Sequence, residues 1–260
     1  MDGELDKEIK VINAEPAEMA ITPEDKIKHD LTYDEWLEAK INKTNIFSYR
    51  HSLVKEWDKF FKQHPTGGPW DYRNKQYRYN DDHLADFIKY YNFEKNLKVL
   101  DSGCADGRNA EYLINQGFKV TGIDFSQTVI ERTKMRLRKG KFLVADIRKL
   151  DLFEDNSFDF LIDAGALHVN YPEDTPSIIK EYHRILKPLG KMFIRVFNKE
   201  DHTSNPIFTV DEGNTMPVFG YSESVFTNHI KDYFNVKHKK YDPVYGMHGE
   251  GCNYYYLERK

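Results

Sequence analysis

The chain has 260 residues, of which 40% are hydrophobic and 31% charged, and its formal net charge is -4. This length fits one large domain or one domain with an added segment, and it excludes a small scaffold held together by disulfides. The segment 1–28 holds eight acids and four lysines, which accounts for the whole net charge, so the rest of the chain is neutral and lacks a strong field for binding nucleic acid.

The N-terminal third is predicted to be an acidic arm followed by helices. Residues 1–28 are poor in aromatics and are interrupted by Pro16 and Pro23, as expected of a loosely held arm. Apolar side chains then recur at helical spacing through 33–41 and 49–61. A Gly/Pro break precedes a polar-aromatic loop at 70–79, and another helix is expected from near Asp82 to before Asn96. We therefore predict an arm at 1–28, a helical extension at 29–95 and a main domain at 96–260.

From Lys98 onward, short apolar runs alternate with helical patterns, which indicates a doubly wound α/β fold with helices on both faces of a mostly parallel sheet. Parallel strands are predicted over Lys98–Asp101, Lys119–Asp124, Lys141–Asp146, Phe158–Asp163 and Lys191–Phe197. Intervening helices are predicted over Arg108–Asn115, Gln127–Arg138 and Thr175–Leu186. There follow a loop at Asn198–Gly220, a helix at Ser222–Phe234, and an antiparallel pair of strands at Val236–Tyr241 and Asn253–Glu258.

The first strand leads into a turn of small residues, Asp101-Ser-Gly103-Cys104-Ala105-Asp-Gly107. Such a turn lets a ligand approach the backbone closely. It does not match the Gly-x-Gly-x-x-Gly pattern of dinucleotide sites. An acid such as Asp101 would repel a phosphate, whereas it could pair with an ammonium group. The alternative is an ordinary strand-to-helix turn.

The second strand ends in Asp124, whose carboxylate could accept hydrogen bonds from two ribose hydroxyls. The alternative role is to cap the helix that follows, although Ser126 is better placed for that.

These residues together resemble the class I S-adenosylmethionine-dependent methyltransferases, whose first motif is Asp/Glu-x-Gly-x-Gly-x-Gly, with Ala105 in place of one glycine. The resemblance covers about 70–260 and includes the Lys187-Pro-Leu-Gly190 turn before the fifth strand. It implies a Rossmann-like sheet with S-adenosylmethionine as cofactor. The positions it assigns to the cofactor are Asp101, Gly103, Cys104, Ala105, Gly107, Asp124, Phe125, Ser126, Asp146, Ile147, Asp163 and Ala164. Asp146 would bind the adenine amino group, and Ile147 would pack on the ring.

The segment around Trp70 and Arg73 resembles a Trp-x-x-Arg lid that covers the cofactor in tellurite-resistance and thiopurine-type methyltransferases. Arg73 would then pair with the cofactor carboxylate. Otherwise it is a surface residue next to an aromatic anchor.

His168, on the loop after the fourth strand, is the predicted general base, with Asn170 and Tyr171 as positioning groups. The alternative is a loop histidine that only hydrogen-bonds the cofactor or the backbone. The resemblance also implies that substrate determinants lie in the loop at Asn198–Gly220, which contains His202, Met216 and Phe219.

The predicted function is methyl transfer to an O, N or S atom of a small molecule. One alternative is an RNA or protein methyltransferase that uses the basic run at 134–141, and another is a non-catalytic cofactor-binding subunit that acts through its acidic arm. Cys104 and Cys252 lack metal-site spacing, and the histidines form no cluster, so no metal is expected. Without an apolar run of membrane length or a signal peptide, we expect a cytoplasmic protein without a membrane partner.

Overall fold

The structure is a computed structural model that describes residues 55, 57–64, 79–199, 206–211, 214–243 and 251–260. The predicted arm, the first predicted helix and nearly all of the predicted lid loop lie outside these residues. The proposed division into an arm, an extension and a main domain therefore stays a prediction.

Nine strands are described. They are β1 Lys98–Ser102, β2 Lys119–Asp124, β3 Lys141–Val144, β4 Phe158–Asp163, β5 Leu186–Phe197, β6 Pro206–Asp211, β7 Asn214–Phe219, β8 Phe234–Asp242 and β9 Cys252–Arg259. Seven of them form one sheet in the order β3-β2-β1-β4-β5-β9-β8. The first five of these are parallel, β9 is antiparallel to β5, and β8 is antiparallel to β9. The order of the strands reverses between β1 and β4, and that reversal opens a crevice at the carboxyl ends of the strands.

Five α-helices with defined bounds pack around the sheet in the described part of the chain. They are α1 Tyr79–Tyr91, α2 Arg108–Asn115, α3 Gln127–Arg136, α4 Thr175–Ile185 and α5 Glu223–Ile230. Short 3-10 helices occupy Leu167–Val169 and Pro172–Asp174, and residues 57–63 are also helical. Ser126 caps α3 by accepting a hydrogen bond from the amide of Val129, as the sequence predicted. None of the helices within the described ranges is long and apolar enough to cross a membrane.

Both faces of the sheet are buried, which confirms the doubly wound architecture. Along β5, Ile194 packs into a cluster that includes α4 and α5, whereas Phe193 packs on the other face with α1. The predicted antiparallel pair at the C-terminus is also confirmed as β8 and β9.

Several predictions about the elements need correction. The helix predicted over Ser222–Phe234 is Glu223–Ile230, α1 begins at Tyr79 at the end of the predicted loop, and β3 ends at Val144. The segment predicted as a loop at Asn198–Gly220 contains the antiparallel hairpin of β6 and β7. Pro206 and Pro217 lie in these strands and argue against a central strand, but a two-stranded hairpin leaves edge positions that tolerate proline. In addition, β5 begins at Leu186 rather than Lys191, because an irregular register lets the predicted turn at Lys187–Gly190 continue the strand.

Candidate active site

The turn between β1 and α2 brings its backbone close to the loop after β4. Gly103, Ala105 and Gly107 have φ values of +66°, +44° and +81°. A Cβ at Gly103 would lie 2.5 Å from the Cβ of Ala166, so only glycine fits there. The methyl group of Ala105 is accommodated in the same left-handed region, which shows how this chain tolerates alanine at that point of the motif.

Asp101 lies on β1 just before this turn and is only 1% exposed. Neither of its carboxylate oxygens meets the geometry of a hydrogen bond within the described part of the chain. Burial raises the pKa of Asp101 to about 8, and the backbone amide of Ala110 offsets this only in part. A buried acid without a good donor is costly. Its surroundings therefore fit a ligand that brings an ammonium group.

Asp124 ends β2 and joins two backbone segments. Its Oδ2 accepts a hydrogen bond from the amide of Ala105 at 3.1 Å, and its Oδ1 accepts one from the amide of Ser126 at 2.9 Å. Burial raises its pKa to about 6, although these backbone bonds oppose the rise. Since an ionised carboxylate has about four acceptor positions, Asp124 retains capacity for ribose hydroxyls.

The helical segment 57–63 is tied to the beginning of α3. Asp58 Oδ1 accepts a hydrogen bond from Ser126 Oγ at 2.7 Å and another from the amide of Thr128 at 3.1 Å. These bonds and an ion pair with Lys62 hold the pKa of Asp58 well below its usual range despite the opposing effect of burial. Arg132 reinforces the docking by donating to the carbonyl of His64 at 3.2 Å.

The aromatic face of the same segment lies beside three loops of the crevice. Trp57, Phe60 and Phe61 form one cluster with Val129 of α3. The partly buried side chains packed against it are Ala105, Phe125 and Val169, which follow β1, β2 and β4 respectively. The segment therefore borders the crevice.

Asp146 lies in the turn after β3, rather than in the strand as predicted. Arg148 Nε donates to both of its carboxylate oxygens at 2.9 Å, and the side chain is 36% exposed. Ile147 is buried in the main core. This arrangement fixes the carboxylate of Asp146 at the rim of the crevice, where its contact with adenine stays a prediction.

Asp163 ends β4 and organises the loop that follows. Its Oδ1 accepts from the amides of Gly165 at 2.9 Å and Ala166 at 2.6 Å, and its Oδ2 accepts from the amide of Leu167 at 3.0 Å and from the Tyr182 hydroxyl at 2.8 Å. The carboxylate is thus saturated by this chain. Ala164 is half-buried in the loop, and cofactor contact by either residue stays a prediction.

His168 is only 4% exposed, and its ring packs on Phe197 with 4.2 Å between the ring centroids. Burial lowers the pKa of His168 well below its usual range, and the charge of Arg195 lowers it further. Its Nδ1 finds no hydrogen-bond partner within the described ranges. A Cβ at Gly165 would lie 2.7 Å from Nη2 of Arg195 and 3.1 Å from Cε1 of His168, so the absence of a side chain there lets the two groups approach the loop. These surroundings favour the neutral form of the imidazole.

The other acceptor-side predictions fall on buried residues. Tyr171 is 1% exposed, and its ring centroid lies 5.4 Å from that of Phe219 on β7. Asn170 donates its side-chain amide to the carbonyl of Ala166 at 2.7 Å. Trp70, Arg73 and His202 lie outside the described residues, as does the side chain of Met216.

Three residues near the crevice escaped the sequence analysis. Asp58 and Tyr182 belong to helices whose apolar spacing was recognised, but nothing in the pattern marks these two polar positions. Arg195, at 5% exposure, stands out only as a charge inside the apolar run of β5. That break in the run was the one available signal.

Comparisons with known proteins agree with this geometry. A family model described as a methyltransferase domain matches residues 100–194, from β1 to β5. The ubiquinone biosynthesis O-methyltransferase of Pelagibacter ubique is 30% identical over 165 residues, which are 61% of this chain and 66% of that enzyme. An uncharacterised methyltransferase of Schizosaccharomyces pombe is 32% identical over 105 residues, which are 39% of this chain and 72% of that protein.

Among solved structures, the chain is similar to the 1,6-didemethyltoxoflavin-N1-methyltransferase of Burkholderia thailandensis, which was crystallised with 1,6-didemethyltoxoflavin and S-adenosylhomocysteine. The TM-score is 0.59 at 17% identity, and the match covers 81% of this chain and 90% of that one. This likeness shows a shared fold. The chain spans 50% and 66% of the lengths of two of its curated relatives, so the activity of the whole protein is argued below as a proposal.

Proposed function

Since the chain belongs to the class I S-adenosylmethionine-dependent methyltransferases, we propose that it transfers a methyl group to an O, N or S atom of a small molecule. S-adenosylmethionine is the cofactor, and S-adenosylhomocysteine is left after transfer. The observation that carries the proposal is the buried carboxyl group of Asp101, for which the described residues supply no well-placed donor and which lies beside a turn of left-handed small residues.

The residues present fit this cofactor. Asp101 would pair with the ammonium of its amino-acid end, Asp124 would accept the ribose hydroxyls, and Asp146 with Ile147 would hold the adenine. When bound, S-adenosylmethionine supplies a methyl group on a sulfonium, which an acceptor lone pair can displace in line. Alignment of the two reactants supplies most of the acceleration in such a reaction.

His168 is the candidate general base. The imidazole would take a proton at Nδ1 as the acceptor atom gains its methyl group, and burial, followed by the charge of Arg195, favours its neutral form beforehand. General-base help of this kind is worth roughly 10² to 10⁴ in rate. Tyr171 stands three residues further on as a positioning group.

A small acceptor is favoured over a nucleic acid. Within the basic run, Arg136 is used internally, because it donates to Glu111 Oε2 at 2.5 Å and to the carbonyl of Asp106 at 2.6 Å. The name of the Pelagibacter relative likewise refers to a small molecule. Filter binding to RNA that fades steeply with salt would instead support the RNA alternative.

The test has two stages. Calorimetry with S-adenosylhomocysteine establishes whether the chain binds the cofactor product, and the absence of binding would refute the proposal. Incubation with radiolabelled methyl donor and fractionated cell extract then asks which fraction gains label. Label confined to macromolecules would overturn the small-molecule assignment, and absence of label despite binding would favour a non-catalytic subunit.

A further inference from the structure

Three buried polar side chains connect the turn after β1 with the loop after β4. Ser102 ends β1, Asp163 ends β4, and Tyr182 reaches both from α4. The Tyr182 hydroxyl lies 2.7 Å from Ser102 Oγ and 2.8 Å from Asp163 Oδ2. All three residues are 1% exposed or less, so water does not compete for these bonds.

The three side chains donate their hydrogen bonds in one direction, from Ser102 to Tyr182 and from Tyr182 to Asp163. The oxygens of Asp163 already accept backbone amides, so its carboxylate acts as an acceptor toward Tyr182. Tyr182 has one hydroxyl proton and donates it to Asp163. Its oxygen can therefore only accept from Ser102, which donates. The hydroxyl of Tyr182 is the one group that both ends require.

The two loops also touch directly. Gly103, next to Ser102, packs so closely against Ala166 that a Cβ at position 103 would lie 2.5 Å from the Ala166 Cβ. The amide of Ala166 is held by Asp163 Oδ1 at 2.6 Å. The two loops are therefore connected at two places, by the contact between Gly103 and Ala166 and by the hydrogen bonds through Tyr182. A shift of one loop requires a shift of the other.

We propose that Tyr182 is a positioning residue that sets the spacing between the turn after β1 (101–107, the cofactor turn) and the loop after β4 (164–171, the acceptor loop), and thereby the alignment of the methyl group with its acceptor. The inference rests on the proposed function. It assigns Tyr182 no contact with either reactant. Because transfer demands alignment of the reacting atoms, a small change in this spacing should lower turnover more than it lowers cofactor affinity.

The test compares Tyr182→Phe with Tyr255→Phe. Each substitution removes one hydroxyl from a fully buried tyrosine ring. The Tyr255 hydroxyl has no hydrogen-bond partner within the described ranges, so Tyr255→Phe serves as the matched control. Calorimetry measures the affinity for S-adenosylhomocysteine, and methyl incorporation is measured with the extract fraction that labels with the wild-type protein.

For Tyr182→Phe we expect turnover to fall roughly tenfold or more, while the cofactor dissociation constant changes by less than about threefold. The affinity should persist because Asp124 still holds the amide of Ala105 in the cofactor turn. Ser102→Ala should lower turnover less. The double variant should not have a lower turnover than Tyr182→Phe, because Tyr182→Phe already removes both hydrogen bonds.

Wild-type turnover in Tyr182→Phe, or equal losses of turnover and affinity, would overturn the inference. Should Tyr182→Phe fail to fold, Ser102→Ala carries the same comparison, and unchanged turnover there has the same meaning. A wild-type protein that does not bind S-adenosylhomocysteine would instead refute the proposed function, so the two failures are distinguishable.

Discussion

The carboxyl ends of β1, β2 and β4 differ from that of β5 in the charge that they bury. Asp101, Asp124 and Asp163 are buried at the first three, whereas Arg195 and Lys199 are buried at or just past the end of β5. Burial raises the pKa of each of the three acids and lowers that of His168 beside Arg195. The acidic half of the crevice, at the ends of β1, β2 and β4, suits a ligand that donates from ammonium and hydroxyl groups. The basic half, at the end of β5, favours the neutral form of His168.

The largest effect is expected from Asp124→Ala. The substitution would remove the two hydrogen bonds that we propose to the ribose, and it leaves the amides of Ala105 and Ser126 without this acceptor. Charge-assisted bonds contribute about 1.5 to 3 kcal/mol each, so the affinity for S-adenosylhomocysteine should fall at least roughly 100-fold. Calorimetry measures this, with the exposed Asp151→Ala as control. An unchanged affinity in Asp124→Ala would show that the acidic half is not the cofactor site.

His168→Ala tests the basic half. We expect turnover to fall at least about tenfold, because the proposed proton transfer to His168 would be lost, while the affinity for S-adenosylhomocysteine changes little. The radiolabelled-methyl assay and calorimetry give the two values. His238→Ala, on the exposed edge strand β8, controls for removal of an imidazole. A fully active His168→Ala protein would show that His168 has only a structural role.

The acidic half of the crevice was more predictable from sequence than the contacts that hold it in place. Asp101 and Gly103 belong to one local motif, and Asp124 ends the next strand of a parallel pair, so apolar periodicity and spacing were enough to predict that they lie close together. The bond from Ser126 to Asp58 joins residues 68 positions apart, and the bond from Ser102 to Tyr182 spans 80. Such contacts depend on how helices pack on the sheet, and a single sequence does not determine that.

A pH measurement sharpens the contrast further. The pKa of Asp101 is about 8 without a cationic partner, so this group is mostly protonated at pH 7. An ammonium group beside it favours the carboxylate, and binding should therefore release about one proton at pH 7. Affinity should rise with pH between about 6 and 7.5, below the ~7.7 to 8.0 at which an α-amino group loses its own proton.

The measurement is calorimetry of S-adenosylhomocysteine binding at pH 7 in two buffers that differ in ionisation enthalpy. Asp124, with a pKa of about 6, is already mostly ionised at that pH and contributes little. Asp101→Asn should abolish the proton release. Identical apparent enthalpies for the wild-type protein in both buffers would contradict the pairing of Asp101 with the ammonium.

The smallest effect separates two positions of the same turn. Ala105 has a φ of +44°, a region that costs an L-residue about 1 to 2 kcal/mol, while glycine loses about 0.4 to 1 kcal/mol through the entropy of the unfolded chain. Ala105→Gly should therefore raise the free energy of unfolding by about 0.5 to 1 kcal/mol in urea titration and leave cofactor affinity intact. Gly103→Ala should instead lower the free energy of unfolding and weaken cofactor binding, because its new methyl group would collide with Ala166. Equal behaviour of the two variants would mean that close contact between the loops does not constrain this turn.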